Sequence, residues 1–180
     1  LKKRSANRVY LLRGNHETNI SLQYINSGFK DFLNRYGEEN ATVLTNFFQS
    51  LSYMALINNS ISVCHGCPND TVNLSSLKDA PKVTEPWPNS VLHDLIWCDP
   101  KLQTRGRSAS TARGPDNQLA VGKDLLQLFC ESNRQEVIIR SHEHVNEGVR
   151  MEHFHKYSLL TVFTHSDYCD MKNLAAIAFV

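Results

Sequence analysis

The sequence predicts an α/β fold, and three observations predict it. Short apolar runs recur along the chain, and each ends in a polar turn that contains histidine. Stretches with helical spacing of apolar residues lie between them. The runs are nearly continuous rather than alternating, which suits strands buried on both faces of a sheet covered by helices.

The first run is "VYLLRGNH" (Val9–His16), read as a core strand. In "SLQYINSGFKDFLNRYG", residues Leu22, Ile25, Phe29, Phe32 and Leu33 recur at three- and four-residue intervals, so a helix is expected, with Gly37 ending it. "ATVLTNFFQSL" supplies a second helix. "ALINNSISV" reads as two strands joined at Asn58-Asn59, a hairpin signal, and its second half runs into "ISVCHG" (Ile61–Gly66). "VGKDLLQLFCESNR" predicts a third helix with Leu125, Leu126, Leu128 and Phe129 facing inward. Two further strand candidates follow, "EVIIRSHEH" (Glu136–His144) and "LLTVFTHSDY" (Leu159–Tyr168), and "NLAAIAFV" reads as a closing apolar strand. Residues Asn69 to Asn89 and Lys101 to Asn117 are rich in Pro, Ser, Asn and Asp and are expected to be irregular, either a functional rim or disorder.

Bulk properties exclude several classes of function. The chain has 180 residues and 41% hydrophobic content, enough for one compact domain or a large piece of a bigger one. Its 19 Lys and Arg against 18 Asp and Glu leave a net charge of +1, with no general pull toward nucleic acid or an anionic membrane. The apolar runs are far shorter than a membrane span. Five cysteines are scattered, and Cys64–Cys67 has CxxC spacing without a second such pair or an HxxxH to complete a zinc site. They read as buried or idle thiols of a reducing compartment, hence a cytoplasmic and/or nuclear protein.

The chemistry gathers where strands open into loops. One histidine after one strand is ordinarily a capped or core residue, but several on the same template point to a shared site. Neutral imidazole is a common transition-metal ligand, and an asparagine carbonyl adds an uncharged oxygen donor. Asn15, His65 and His142 can therefore build most of one metal site, leaving His16 for proton transfer. Arg113 opens "RGPDNQLAVG" before the third helix, where a guanidinium can hold a phosphate bidentately; the alternative for "TRGRSASTARG" is a flexible basic loop.

These residues resemble a known family. "LLRGNHE" is similar to the signature of the phosphoprotein phosphatase (PPP) family of serine/threonine protein phosphatases, and the likeness continues in order through "VCHG", "DLIWCDP", Arg113-Gly114, "IIRSHEHVNEG" and "LLTVFTHSDYC". The resemblance implies a calcineurin-like metallophosphoesterase fold, a central β-sandwich flanked by helices. It implies that Asn15, His65 and His142 are ligands of the second of two divalent ions (Mn, Fe or Zn) and that His16 is the general acid. Arg113 would grip the phosphoryl oxygens and Tyr168 would line the substrate groove. The partners implied are phosphoprotein substrates and regulatory subunits, with no nucleic acid and no membrane.

The pattern also departs from the family. His-Gly-Gly becomes His65-Gly66-Cys67, and Ser-Ala-Pro-Asn-Tyr becomes Thr164-His165-Ser166-Asp167-Tyr168. Two family motifs that precede the signature, Gly-Asp-x-His-Gly and Gly-Asp-x-x-Asp-Arg-Gly, do not occur. Residues 1–180 are accordingly expected to be the C-terminal part of a catalytic domain with its N-terminal portion absent, holding at most one weak metal site and inactive alone. A catalytically inactive pseudophosphatase acting as a protein-binding scaffold is the alternative. A metallophosphoesterase acting on nucleotides or nucleic acid fits less well, because the net charge is near neutral and "DLIWCDP" belongs to the protein-phosphatase branch of the resemblance.

Overall fold

A computed structural model describes residues 8–18, 28–80, 86, 90–109 and 119–180. Helix α1 (Gly28–Ser50) is broken at Gly37, whose φ of 80° and ψ of 168° lie outside helical space. Glycine thus ends the first helical segment, as expected, and the second starts immediately after it. Residues 19–27, including Leu22 and Ile25, lie outside the described residues.

Strands β1 (Met54–Ile57) and β2 (Ile61–Cys64) form the expected hairpin. Asn58 and Asn59 both adopt left-handed φ values, 50° and 58°, which is the turn geometry that matches the twist of two antiparallel strands. Short helices α2 (Leu74–Leu77) and α3 (Val91–Trp97) follow. Next come β3 (Asp99–Lys101), β4 (Arg107–Ala109), β5 (Leu119–Gly122), helix α4 (Lys123–Asn133) and strands β6 (Val137–Arg140), β7 (Val149–Phe154) and β8 (Tyr157–Val162).

Two sheets result. The larger has the order β1-β2-β6-β8-β7, and its centre, β2, β6 and β8, is parallel. The smaller, β3-β5-β4, pairs β3 and β5 parallel and β4 and β5 antiparallel. One apolar cluster joins both sheets to α3 and α4: Cys64, Ile138 and Leu159 from the large sheet, Val121 from the small one, and Leu95, Ile96, Leu126 and Phe129 from the helices. This mixed architecture, with two sheets and flanking helices, is the α/β class that the sequence predicts. Among the described residues, no helix is long and apolar enough to cross a membrane.

Several local expectations are corrected. Residues 9–12 do not form a regular strand: a single parallel bridge joins Leu12 to Ser52, and Tyr10 and Leu11 are 72% and 43% exposed. An apolar run makes a strand only where neighbours supply partners for its backbone on the ladder. "NLAAIAFV" is likewise not a strand. It is held by three backbone bonds, Asp167 N–H to Asn173 O, Leu174 N–H to Asn146 O and Ala176 N–H to Phe163 O, and Phe179 is 97% exposed. Val121 and Gly122 belong to β5 rather than to the helix, and Leu128 faces solvent while Leu126, Phe129 and Cys130 face the core. The stretches expected to be irregular contain α2 and β4, and β7 forms an unforeseen hairpin with β8.

Candidate metal centre

The parallel strands β2 and β6 end side by side, and their first loop residues carry the histidines. His65 follows Cys64 directly, His142 lies two residues beyond Arg140, and the Ser141 N–H donates to the His65 carbonyl at 3.1 Å, fixing the two turns together. His142 holds a left-handed φ of 61°. Its ring packs edge-on against Trp97 and against His65, with centroids at 5.8 and 5.1 Å.

The third arm is the turn at residues 14–17. Gly14 N–H donates to Glu17 Oε2 at 2.8 Å, the Glu17 N–H returns to the Gly14 carbonyl, and Thr18 Oγ1 donates to the Asn15 carbonyl. A Cβ on Gly14 would stand 2.8 Å from Glu17 Oε2 and 3.1 Å from His65 Nδ1, so glycine lets this turn close against the histidine ring. Arg13 is fully buried beneath it, donating through Nη1 to Tyr53 OH at 2.7 Å and through Nε to the Glu17 carbonyl at 2.9 Å.

The structure brings Asn15, His65 and His142 together. Asn15 Oδ1 lies 2.7 Å from His65 Nε2, and His65 Nε2 lies 3.2 Å from His142 Nδ1. Donors that share one transition metal at bonds of about 2.1 Å stand about 3.0–3.4 Å apart, so the His65–His142 spacing suits a shared ion and the Asn15–His65 spacing is a few tenths of an ångström short of it. All three donors are neutral. Among the described residues, no group of three or more His, Cys, Asp or Glu side chains is arranged to hold a metal ion; the set here is two histidines and an amide.

The other expected residues stand differently. His16 is exposed and directly follows Asn15 in the chain. Tyr168 lies in the loop after β8, stacked on His144 at 6.3 Å and edge-on to Phe163 and His165. His144 lies two residues past His142 in the chain. Arg113 lies outside the described residues. The CxxC thiols belong to the core: burial pushes Cys64 up to about 12 and drives Cys67 well above the ordinary thiol range, which keeps both protonated. Cys98 is raised for the same reason, and Cys130 is pushed to about 12.

Gly66 has a packing role of its own. A Cβ there would come within 2.8–2.9 Å of backbone atoms of Asp94, Ile96 and Trp97, so the His65 turn sits directly on the last turn of α3. Sequence reasoning passed over three other contributors: Arg13, Asp99 and Arg140. Arg140 is wholly buried and donates to the carbonyls of Gly66 and Cys98 and to the carboxylates of Asp99 and Glu143. The available signal was shared grammar, since "VYLLR" and "EVIIR" both end an apolar run in arginine just before the polar turn.

Comparison with known proteins identifies the family. The calcineurin-like phosphoesterase family profile matches residues 1–146. Serine/threonine-protein phosphatase T of Saccharomyces cerevisiae is 34% identical over 185 residues, covering 100% of this chain and 34% of the relative. Its Schizosaccharomyces pombe counterpart is 30% identical over 178 residues, covering 94% of this chain and 35% of the relative. A solved serine/threonine phosphatase from S. cerevisiae, described as similar to human phosphatase PP5, superposes with a TM-score of 0.83 at 30% identity, covering 97% of this chain and 54% of the other. The chain thus spans about a third of the length of these curated relatives and about half of that solved chain. It belongs to the calcineurin-like phosphoesterase family and, within it, resembles the serine/threonine protein phosphatases.

Proposed function

We propose that this chain supplies the second-metal half of a serine/threonine protein phosphatase site that hydrolyses phosphoserine and phosphothreonine. The observation that carries the reading is the convergence of Asn15 Oδ1, His65 Nε2 and His142 Nδ1 from three separate turns. These residues would hold a divalent ion (Mn, Fe or Zn), which when bound polarises a phosphoryl oxygen and neutralises charge as the phosphate is attacked. His16, exposed and next to Asn15 in the chain, would protonate the departing serine or threonine oxygen. Tyr168 borders the groove, and Arg113 is assigned to the phosphoryl oxygens on the sequence pattern alone. Phosphoproteins are the substrates in this reading, with regulatory subunits as further partners.

Three neutral donors give an ion little charge compensation, so tight retention and a two-metal reaction need carboxylate ligands beyond those seen here. Hydrolysis by this chain alone is therefore not expected. Manganese titration followed by electron paramagnetic resonance tests the assignment. Saturable binding is expected for the chain and for His16→Ala, and its loss for Asn15→Ala, His65→Ala and His142→Ala. Equal binding by all five proteins would refute the ligand set, and brisk phosphopeptide turnover by the isolated chain would refute the need for a second set.

A further inference from the structure

The Arg140 guanidinium is enclosed in the core, where an unpaired charge is prohibitive and a whole ion-pair network stabilises little against an apolar set of the same size. Its persistence there calls for a reason beyond stability, and its partners give one. Nε donates to the Gly66 carbonyl at 3.1 Å, one residue past His65. Nη1 donates to Glu143 Oε2 at 2.5 Å, one residue past His142. Nη2 donates to the Cys98 carbonyl at 3.1 Å and to Asp99 Oδ1 at 2.9 Å. One rigid fork therefore spans the His65 turn, the His142 turn and the segment that joins α3 to β3.

Asp99 extends the effect to the imidazole itself. The same Oδ1 that Arg140 holds lies 3.9 Å from His142 Nε2, on the ring edge opposite the one facing His65. A carboxylate on that edge favours the proton on Nε2, which leaves the Nδ1 lone pair directed toward His65 Nε2 and Asn15 Oδ1. Glu143 is braced in turn by Arg150 Nη2 at 3.3 Å, so the arrangement continues outward to β7.

From this geometry we propose that Arg140 is the positioning residue of the candidate centre. It sets the spacing of the His65 and His142 turns and, through Asp99, the tautomer of His142. The inference rests on the metal-site reading above. Lysine keeps the charge but has no planar fork, so it cannot hold acceptors on three segments at once.

The test uses the full chain with Arg140→Lys and Asp99→Asn, each checked for folding by circular dichroism. Two readouts are taken: cobalt(II) titration by d–d absorption, and long-range 1H–15N spectra of the imidazoles without metal. In the parent chain, a cobalt band and an Nε2-protonated His142 are expected. Arg140→Lys should weaken cobalt binding about 10–100-fold, and both variants should move His142 toward a mixture of tautomers. A folded Arg140→Lys that matches the parent in both readouts would overturn the proposal. Should Arg140→Lys fail to fold, an unchanged tautomer in Asp99→Asn would overturn the Asp99 route. Absence of a cobalt band in the parent would instead sink the metal reading itself, while the metal-free tautomer would still decide the role of Arg140.

Discussion

The turns at Arg140–His142 and at Arg13–His16 are made from the same parts and sit in different frameworks. Each follows an apolar run, each buries an arginine completely, and each presents a nitrogen or oxygen donor to the same point. Strand β6, however, is flanked by β2 and β8, whereas residues 9–12 have one bridge to Ser52. Arg140 is bonded to two carboxylates and two carbonyls, while Arg13 leans on a tyrosine hydroxyl, a carbonyl and the face of the Tyr53 ring. The difference teaches that two of the three donors, His65 and His142, are built onto the sheet and the third, Asn15, is laid against it.

Breaking the built-in side should cost most. Arg140→Met removes the buried guanidinium from the Asp99 and Glu143 carboxylates and from the Gly66 and Cys98 carbonyls, and should destabilise the chain by about 3–5 kcal/mol in urea unfolding. A cost below about 1 kcal/mol would mean that the network is hydrated rather than sealed. On the laid-against side, Tyr53→Phe removes one acceptor from buried Arg13 and should cost about 1–2 kcal/mol in the same assay. Leu11→Ser tests the exposed run and should change stability by no more than about 0.5 kcal/mol. A large loss there would show that residues 9–12 are covered in solution and would erase the contrast.

The legible parts of this fold were those with a strong local cause. Asn58-Asn59 announced a hairpin because its two positions tolerate left-handed φ, and β2, β6 and β8 were readable as apolar runs with turn residues behind them. The small sheet was not readable, because "DPK", "RSA" and "LAVG" are too short to show a period and are strands only through one another. The reverse error arose at "NLAAIAFV", whose apolar composition met no partner strand. In the site, Asn15, His65 and His142 stood out as chemistry in excess of what a turn requires. Arg13 and Arg140 did not, because arginine is almost always a solvated residue and nothing local marks one that will be enclosed.

Of the five cysteines, four are buried, and burial raises Cys64, Cys67, Cys98 and Cys130 above the ordinary thiol range. Cys169 is exposed and follows Tyr168 directly. The unmodified chain thus carries its own attachment point for a maleimide fluorophore at the rim of the proposed groove. Brief labelling near neutral pH should tag that thiol selectively, giving an optical reporter of groove occupancy that works whether or not any bond is cleaved.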